Sequence, residues 1–313
     1  MTELNCPSCK SDKVDLIGKI PATDIFAGRV LPSLINGNSL YSCGQCKLSF
    51  RFPRMKKEDM DSLYRAGTED NWGGDSGNRR VDWEIGSAWI SSLGADRKVL
   101  DVGCFRGGFL KSLKGEGEGD ISGIEIHENA AEQARRSGIR IIGNDFDAIE
   151  KTSDRFDVVT AFDVIEHVDD PKVFLAQLAR VTTPNGKIVI STGNTMSSSW
   201  MLMGSRYWYC TIAEHISFIN PEWCRLVAEE YELKVEKIEF FSHEAPFKLI
   251  ALRKMGELAA NLLYKFVPSA FHLLRKSGRG AKDVKKHPEL LDSPPQWLSA
   301  KDHMIVCFGK RNL

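Results

Sequence analysis

The chain has 313 residues, enough for one large core and a smaller module beside it. Hydrophobic residues make up 42% and charged residues 27%, and Lys plus Arg balance Asp plus Glu at 42 each. That composition is ordinary for a globular protein, and zero net charge excludes a global bias toward nucleic acid or membrane surfaces. No run of about 18 apolar residues predicts a spanning helix. The opening MTELNCPSCK carries no basic-then-apolar leader pattern, so a cytoplasmic location is expected.

Four of the eight cysteines fall in two Cys-x-x-Cys pairs, CPSC (Cys6, Cys9) and CGQC (Cys43, Cys46). Each pair places two thiolates on one turn, with Pro7 or Gly44 inside it. Two such turns supply the four sulfurs of a closed, structural zinc site. Four buried or redox-active cysteines are the alternative. Cys104, Cys210, Cys224 and Cys307 stand singly, which suits metal binding in a reducing compartment better than a disulfide framework. Strand-like KVDLIGKI and NSLYSC predict a small sheet between the pairs, so residues 1–55 read as a zinc-ribbon-like module. Residues 56–80 follow as a linker: KKEDMDSLYRAG reads as a helix, and TEDNWGGDSGNRR as a loop or hinge that can order over a ligand.

From residue 81 helices and strands alternate. VDWEIGSAWISSLG (helix), KVLDVG (strand), RGGFLKSLKGEG (helix), DISGIEI (strand) and HENAAEQARRSG (helix) lead on to IRIIGND and RFDVVTAF (strands). DPKVFLAQLARVT is a helix opened by Asp-Pro, and NGKIVISTGN is another strand. This alternation predicts an α/β fold with a doubly wound, mostly parallel sheet, its ligand at the carboxyl ends of the strands. The turn in KVLDVGCFRGGFL is no dinucleotide fingerprint, because Phe105 stands where the middle glycine would approach a pyrophosphate. Glu125, 22 residues after Gly103, is placed to accept hydrogen bonds from a ribose diol.

Four blocks in register, VLDVGCFRGGFL, GIEIHENAAEQAR, GNDFDAI and FDVVTAFDVIEHVDDPKVFLAQLARVTTPNGKIVIST, resemble the class I S-adenosylmethionine-dependent methyltransferases over about residues 95–243. The resemblance implies a Rossmann-like core at 81–246 with S-adenosylmethionine as cofactor. It implies that Asp101, Gly103 and Gly107 line the methionine end and that Glu125 binds the ribose. Asp145 with Phe146 would flank the adenine, and Phe162 with Asp163 would close the site. The bland alternatives are a turn cap for Asp101, a solvated strand end for Glu125 and a helix cap for Asp145. Phe105 and the TPNG turn depart from the family pattern.

Methyl transfer to a hydroxyl needs alignment and a base. His167 in VIEHV and His215 in AEHISFI are the candidates, with His243 behind them; Glu166 and His167 also suit a structural wall. The aromatic stretch before His215 sits where this family inserts its acceptor-binding lid. Arg206, Tyr207 and Trp208 are therefore candidate acceptor contacts, an aromatic mini-core being the alternative. The cysteine module is similar to the zinc-binding N-terminal portion of bacterial sugar methyltransferases. That resemblance implies a nucleotide- or carrier-linked sugar hydroxyl as acceptor, in polysaccharide or secondary-metabolite synthesis. A quinone-type or other aromatic O-methyltransferase is the alternative, and an RNA-modifying protein a more distant one.

Residues 247–300 read as a helical insertion, and within 247–286 ten Lys/Arg stand against two Asp/Glu. The plainer expectation is a cap on the catalytic domain with solvated lysines; the other is peripheral contact with an anionic inner membrane. HMIVCFGK, in 301–313, is expected as the final, antiparallel edge strand of the sheet.

Overall fold

The computed structural model describes residues 4–66, 80–94, 96–114, 119–243, 250–277, 281–297 and 301–311. The glycine-rich loop expected over 68–80 lies, but for Arg80, outside the described residues. Around the two cysteine turns run β1 (Val14–Lys19), the hairpin β2 (Thr23–Phe26) and β3 (Arg29–Ile35), then β4 (Ser39–Cys43) and β5 (Ser49–Phe52). The hairpin turns on Ala27 and Gly28, both at positive φ (48° and 69°), the backbone that a two-residue turn matched to strand twist requires.

Strand and helix then alternate. α1 (Lys57–Ala66) and α2 (Val81–Ser91) precede β6 (Lys98–Val102), α3 (Gly108–Lys114), β7 (Asp120–Ile124), α4 (Glu128–Arg136) and β8 (Arg140–Gly143). Next come α5 (Asp147–Lys151), β9 (Phe156–Phe162), α6 (Pro171–Val181) and β10 (Thr182–Gly193). α7 (Ser198–Met203), the two-residue β11 (Ser217–Phe218) and α8 (Pro221–Glu230) lead to β12 (Leu233–Phe241). α9 (Ile250–Phe266), α10 (Pro268–Ser277) and α11 (Ala281–Lys286) fill the interval before β13 (His303–Lys310).

The main sheet has the order β12-β13-β10-β9-β6-β7-β8. β8, β7, β6, β9 and β10 run parallel, and β13 is antiparallel to both its neighbours. The winding reverses at β6, so a crevice opens beyond the carboxyl ends of β6 and β9. β13 is antiparallel as the sequence predicts, but it is not the edge. Seven of its eight residues are buried, an apolar run needing cover on both sides. β12 takes the edge instead, because LKVEKIEFF alternates polar and apolar residues and leaves its charges in solvent.

The cysteine module is built into this core. Cys6, Cys43, Cys46, Leu48 and Phe50 belong to one buried cluster with Phe174, Leu175, Ile219, Trp223 and Met304. The module's sheet, β1-β4-β5-β11, takes its last strand from the catalytic part. Beside that seam Arg51, 3% exposed, donates to three carbonyls of one irregular segment: Cys210 (2.6 Å), Ile212 (2.9 Å) and His215 (3.1 Å). Arg54 adds bonds to the Ile216 carbonyl (3.1 Å) and the Ser217 hydroxyl (3.0 Å). Burial lowers Arg51 to about 10, which leaves it charged at neutral pH. Replacing it by Met strands three buried carbonyls, a loss of about 3 kcal/mol in urea-unfolding free energy. A loss below about 1 kcal/mol would show that the clamp does not stabilise the fold.

Candidate active site

After Val102 the chain turns through Gly103 (φ 77°), Phe105 (φ 49°) and Gly107 (φ 75°) into α3. A Cβ on Gly103 would lie 2.7 Å from Val164 Cγ2, and one on Gly107 only 2.0 Å from Ile139 Cδ1, so both positions require glycine. Phe105 holds the left-handed backbone with a full side chain. Its N–H donates to Glu125 Oε2 at 2.7 Å, and its ring packs under the Arg106 guanidinium at 5.0 Å. The His127 N–H donates to Glu125 Oε1 at 2.8 Å. Two backbone donors thus orient a carboxylate that is 4% exposed at the carboxyl end of β7. An ionised carboxylate is an acceptor-only group with two oxygens, the kind of acceptor that a vicinal diol needs.

Asp101 sits at 3% exposure beneath this loop and accepts from the Thr160 hydroxyl at 2.6 Å; burial pushes it up to about 7. Asp145 accepts from the Ala148 N–H at 3.2 Å, and so opens α5 in the capping role weighed for it. Phe146 beside it is 37% exposed and packs 5.3 Å from Phe174. Phe162 stacks edge-on to Phe109 at 4.6 Å, with Gly86 of α2 close above its ring.

Asp163, left-handed at φ 53°, is tied to residues that the sequence pattern did not single out. Arg80 forks onto the fully buried Asp82 (3.0 and 2.6 Å) and reaches Asp163 Oδ2 at 2.5 Å. Ser191 also donates to Asp82, at 2.8 Å. Burial would raise Asp163, but Arg80, His243 and His303 outweigh it and hold the carboxyl well below its ordinary range. The ligand-type atoms of Asp163, His243 and His303 all lie within 4.8 Å of one another.

On the other side of the β9 end, Glu166, His167 and His215 form a second group, also within 4.8 Å. The two imidazole rings meet edge to face at 4.7 Å. Tyr64 of α1 contacts His167 Nδ1 at 2.8 Å, and the Tyr209 carbonyl lies 3.3 Å from His215 Nδ1. Burial lowers His167 to about 4, and burial followed by the neighbouring His167 lowers His215 well below its ordinary value. Both imidazoles are therefore neutral at pH 7. Burial raises Glu166 to about 7; it accepts from the Tyr209 hydroxyl and from Thr192 at 2.9 Å.

The family described as a methyltransferase domain matches residues 76–238, more than half of the chain. The chain belongs to that family. Its methyltransferase domain has a Rossmann-like core. The ubiquinone biosynthesis O-methyltransferase of Thiobacillus denitrificans is 30% identical over 182 residues, 52% of this chain and 77% of that protein. The enzyme of the same name from Idiomarina loihiensis is 38% identical over 113 residues, 34% of this chain and 46% of its own length. The methyltransferase thus spans about half the length of several curated relatives it matches. A solved SAM-dependent methyltransferase of Archaeoglobus fulgidus is 20% identical, with 82% of this chain and 100% of that one covered and a TM-score of 0.46.

The methyltransferase does not bring all the candidate acceptor contacts to one place. Arg206 donates to the Tyr264 hydroxyl at 3.0 Å, lies 4.1 Å from that ring, and pairs with Asp292 at 3.3 Å. Tyr207 donates to the Trp297 carbonyl at 2.9 Å and contacts Asp302 at 3.2 Å, while Trp208 Nε1 donates to the same carbonyl at 2.8 Å. These three fasten the C-terminal segment, as in the mini-core alternative. Trp208 also lines a cavity of about 220 Å³ with Ile25, Ile212 and Glu214.

In the cysteine module, Cys6 and Cys46 Sγ lie 3.5 Å apart, as do Cys9 and Cys43 Sγ, and all four fall within 4.8 Å. Four Zn–S bonds of about 2.3 Å in a tetrahedron put sulfurs about 3.8 Å apart, so the set fits one zinc ion. For the cofactor, the Glu125 carboxylate gives the sharpest test. Glu125→Ala is expected to weaken S-adenosylmethionine binding more than about tenfold in calorimetry, the loss of a charge-assisted hydrogen-bond pair. Unchanged affinity would remove Glu125 from the ribose contact.

Proposed function

We propose that this methyltransferase methylates a hydroxyl oxygen, and that the acceptor is an aromatic ring of the phenol or quinol class. The observation that carries the hydroxyl is the pair of desolvated, neutral imidazoles, His167 and His215, beside the carboxyl end of β9. When bound, S-adenosylmethionine supplies an electrophilic methyl on a sulfonium, so the acceptor oxygen needs only alignment and the removal of its proton. The Tyr209 carbonyl accepts from His215 Nδ1–H, which leaves the lone pair on Nε2 to take that proton. Tyr64 orients His167, and His167 in turn walls His215. The aromatic class is supported by the relatives named as ubiquinone biosynthesis O-methyltransferases, at about 30% identity. It takes the place of the sugar acceptor expected from the cysteine module.

Glu214 favours a sugar hydroxyl as a second reading. Burial raises its pKa, and its Oε2 has no hydrogen-bond partner where it lines the cavity beside Trp208. A carboxyl beside an indole face is a pairing that suits a sugar ring. Labelled S-adenosylmethionine offered with catechols and quinols, with nucleotide-linked sugars and with RNA separates the readings. Label in the aromatic hydroxyl is the expected result, and label confined to sugar or RNA would overturn it.

His215→Asn is expected to lower kcat about 10²–10⁴-fold with cofactor affinity unchanged. Because burial favours the neutral imidazole, the kcat plateau should persist down through pH 6.5 and fall only below it. An acid limb at or above 6.5, or a variant with wild-type kcat, would remove His215 as base.

The reading includes a structural zinc ion on Cys6, Cys9, Cys43 and Cys46, closed to catalysis. The hydrogen bond between Cys6 and Cys46 lowers Cys6 to about 5 and raises Cys46. Sulfurs so close compete for ionisation unless a cation neutralises them. Metal analysis is expected to find one zinc per chain, lost together with thermal stability on Cys43→Ser. A folded, metal-free protein would defeat the assignment.

A further inference from the structure

α9 presents its apolar side outward. At 100° per residue, Met255, Leu258, Leu262 and Phe266 fall within roughly 80° around the helix. They are 67%, 39%, 37% and 63% exposed. Asn261 and Tyr264 are 1% and 0% exposed, and the Tyr264 hydroxyl accepts from Arg206 and donates to the Asp292 carbonyl at 2.6 Å. Lys265 likewise reaches inward, to the Leu202 carbonyl. α9 thus packs on the core through Tyr264, in one buried cluster with Trp200, Tyr207 and Trp297, and leaves its apolar stripe outside. Val267 after α9 is 47% exposed, and on the following α10 Leu273 and Leu274 are 70% and 61% exposed.

The charge around this apolar face selects what covers it. Residues 247–286 carry ten Lys/Arg against two Asp/Glu, a surplus of 10 − 2 = +8. Lys276, Lys285 and Lys286 are exposed, while Arg253, on the side of α9 away from the stripe, is paired with the inward Glu257 at 3.0 Å. A second copy of the chain would bring the same basic face against itself, because a two-fold interface repeats one patch on both subunits. A surface of anionic headgroups over acyl chains matches both properties at once. No helix among the described residues is long and apolar enough to cross a membrane, so α9 and α10 would lie along the surface.

We propose that α9 and α10 dock this methyltransferase on an anionic lipid surface, whatever its methyl acceptor. The test is flotation with phosphatidylcholine vesicles, with and without phosphatidylglycerol, at low and high salt. The expected result is binding only to the anionic vesicles, weakened by salt. It should fall about tenfold in the double variant Leu258→Glu, Leu262→Glu, since each charge removes an apolar anchor. The circular dichroism and S-adenosylmethionine affinity of that variant, expected to be unchanged, exclude misfolding. Absence of binding, equal binding to neutral vesicles, or binding unchanged in the variant would overturn the proposal. So would a dimer in sedimentation that the variant dissociates, because the face would then belong to a second copy. Failure here leaves the hydroxyl reading standing, because soluble acceptors test that reading separately.

Discussion

The guanidinium of Arg51 is the point on which the acceptor side of the site depends. Residues 212–216 lie outside helix and strand, and a buried backbone without partners is unfavourable by the full desolvation cost of each group. Arg51 supplies donors to the Ile212 and His215 carbonyls there and to that of Cys210 just before, and its own backbone N–H bonds to Ile216 at 3.0 Å. From the opposite side the Ile216 N–H bonds to the Glu166 carbonyl at 2.8 Å. His215 is therefore held between a strand of the cysteine module and the turn that follows β9. The module acts as a positioning element for an imidazole distant from it in sequence, which explains why its cysteines share a core with the catalytic sheet.

The charges around the site divide into two groups by the company they keep. Asp82 and Asp163 share one arginine, and Asp163, half-buried, stays ionised because Arg80 lies against it. Asp101 and Glu166 have hydroxyl partners, and each is raised to about 7 by burial. A carboxyl paired only with hydroxyls inside a protein moves toward its neutral form, since hydroxyl donors offset less of the desolvation than a guanidinium does. The ionised acid at the β9 end faces His243 and His303, while the imidazoles at His167 and His215 remain neutral.

The parallel sheet was legible because its signals are local. Apolar runs of β6, β7 and β9, the Asp170-Pro171 start of α6 and the glycine turn before α3 each sit within a few residues. Glu125 was legible by its distance from Gly103. Arg51, Tyr64 and Arg80 were not, because their partners lie 164, 103 and 83 residues away and only the fold brings them together. The helical insertion over 247–300 was legible, but sequence carries no information about which way the apolar stripe of α9 faces. The hairpin of β2 and β3 had a signal, the Ala27-Gly28 pair, that hydrophobic alternation did not pick up.

Two left-handed residues that are not glycine mark the rim of the crevice, Phe105 after β6 and Asp163 after β9. Such a backbone costs about 1–2 kcal/mol with a side chain, so each position must be held from outside. Phe105 is held by its N–H on the Glu125 carboxylate, and Asp163 by its N–H on the Ser191 carbonyl at 3.0 Å together with the Arg80 clamp. The family glycine therefore reports a conformation, and this chain keeps the conformation while changing the residue. Because the Glu125 carboxylate is itself the anchor for Phe105, the loop's shape and the orientation of that acid are fixed by the same hydrogen bond. A change at either residue reaches the other, which makes the β6 turn and the β7 end a single unit.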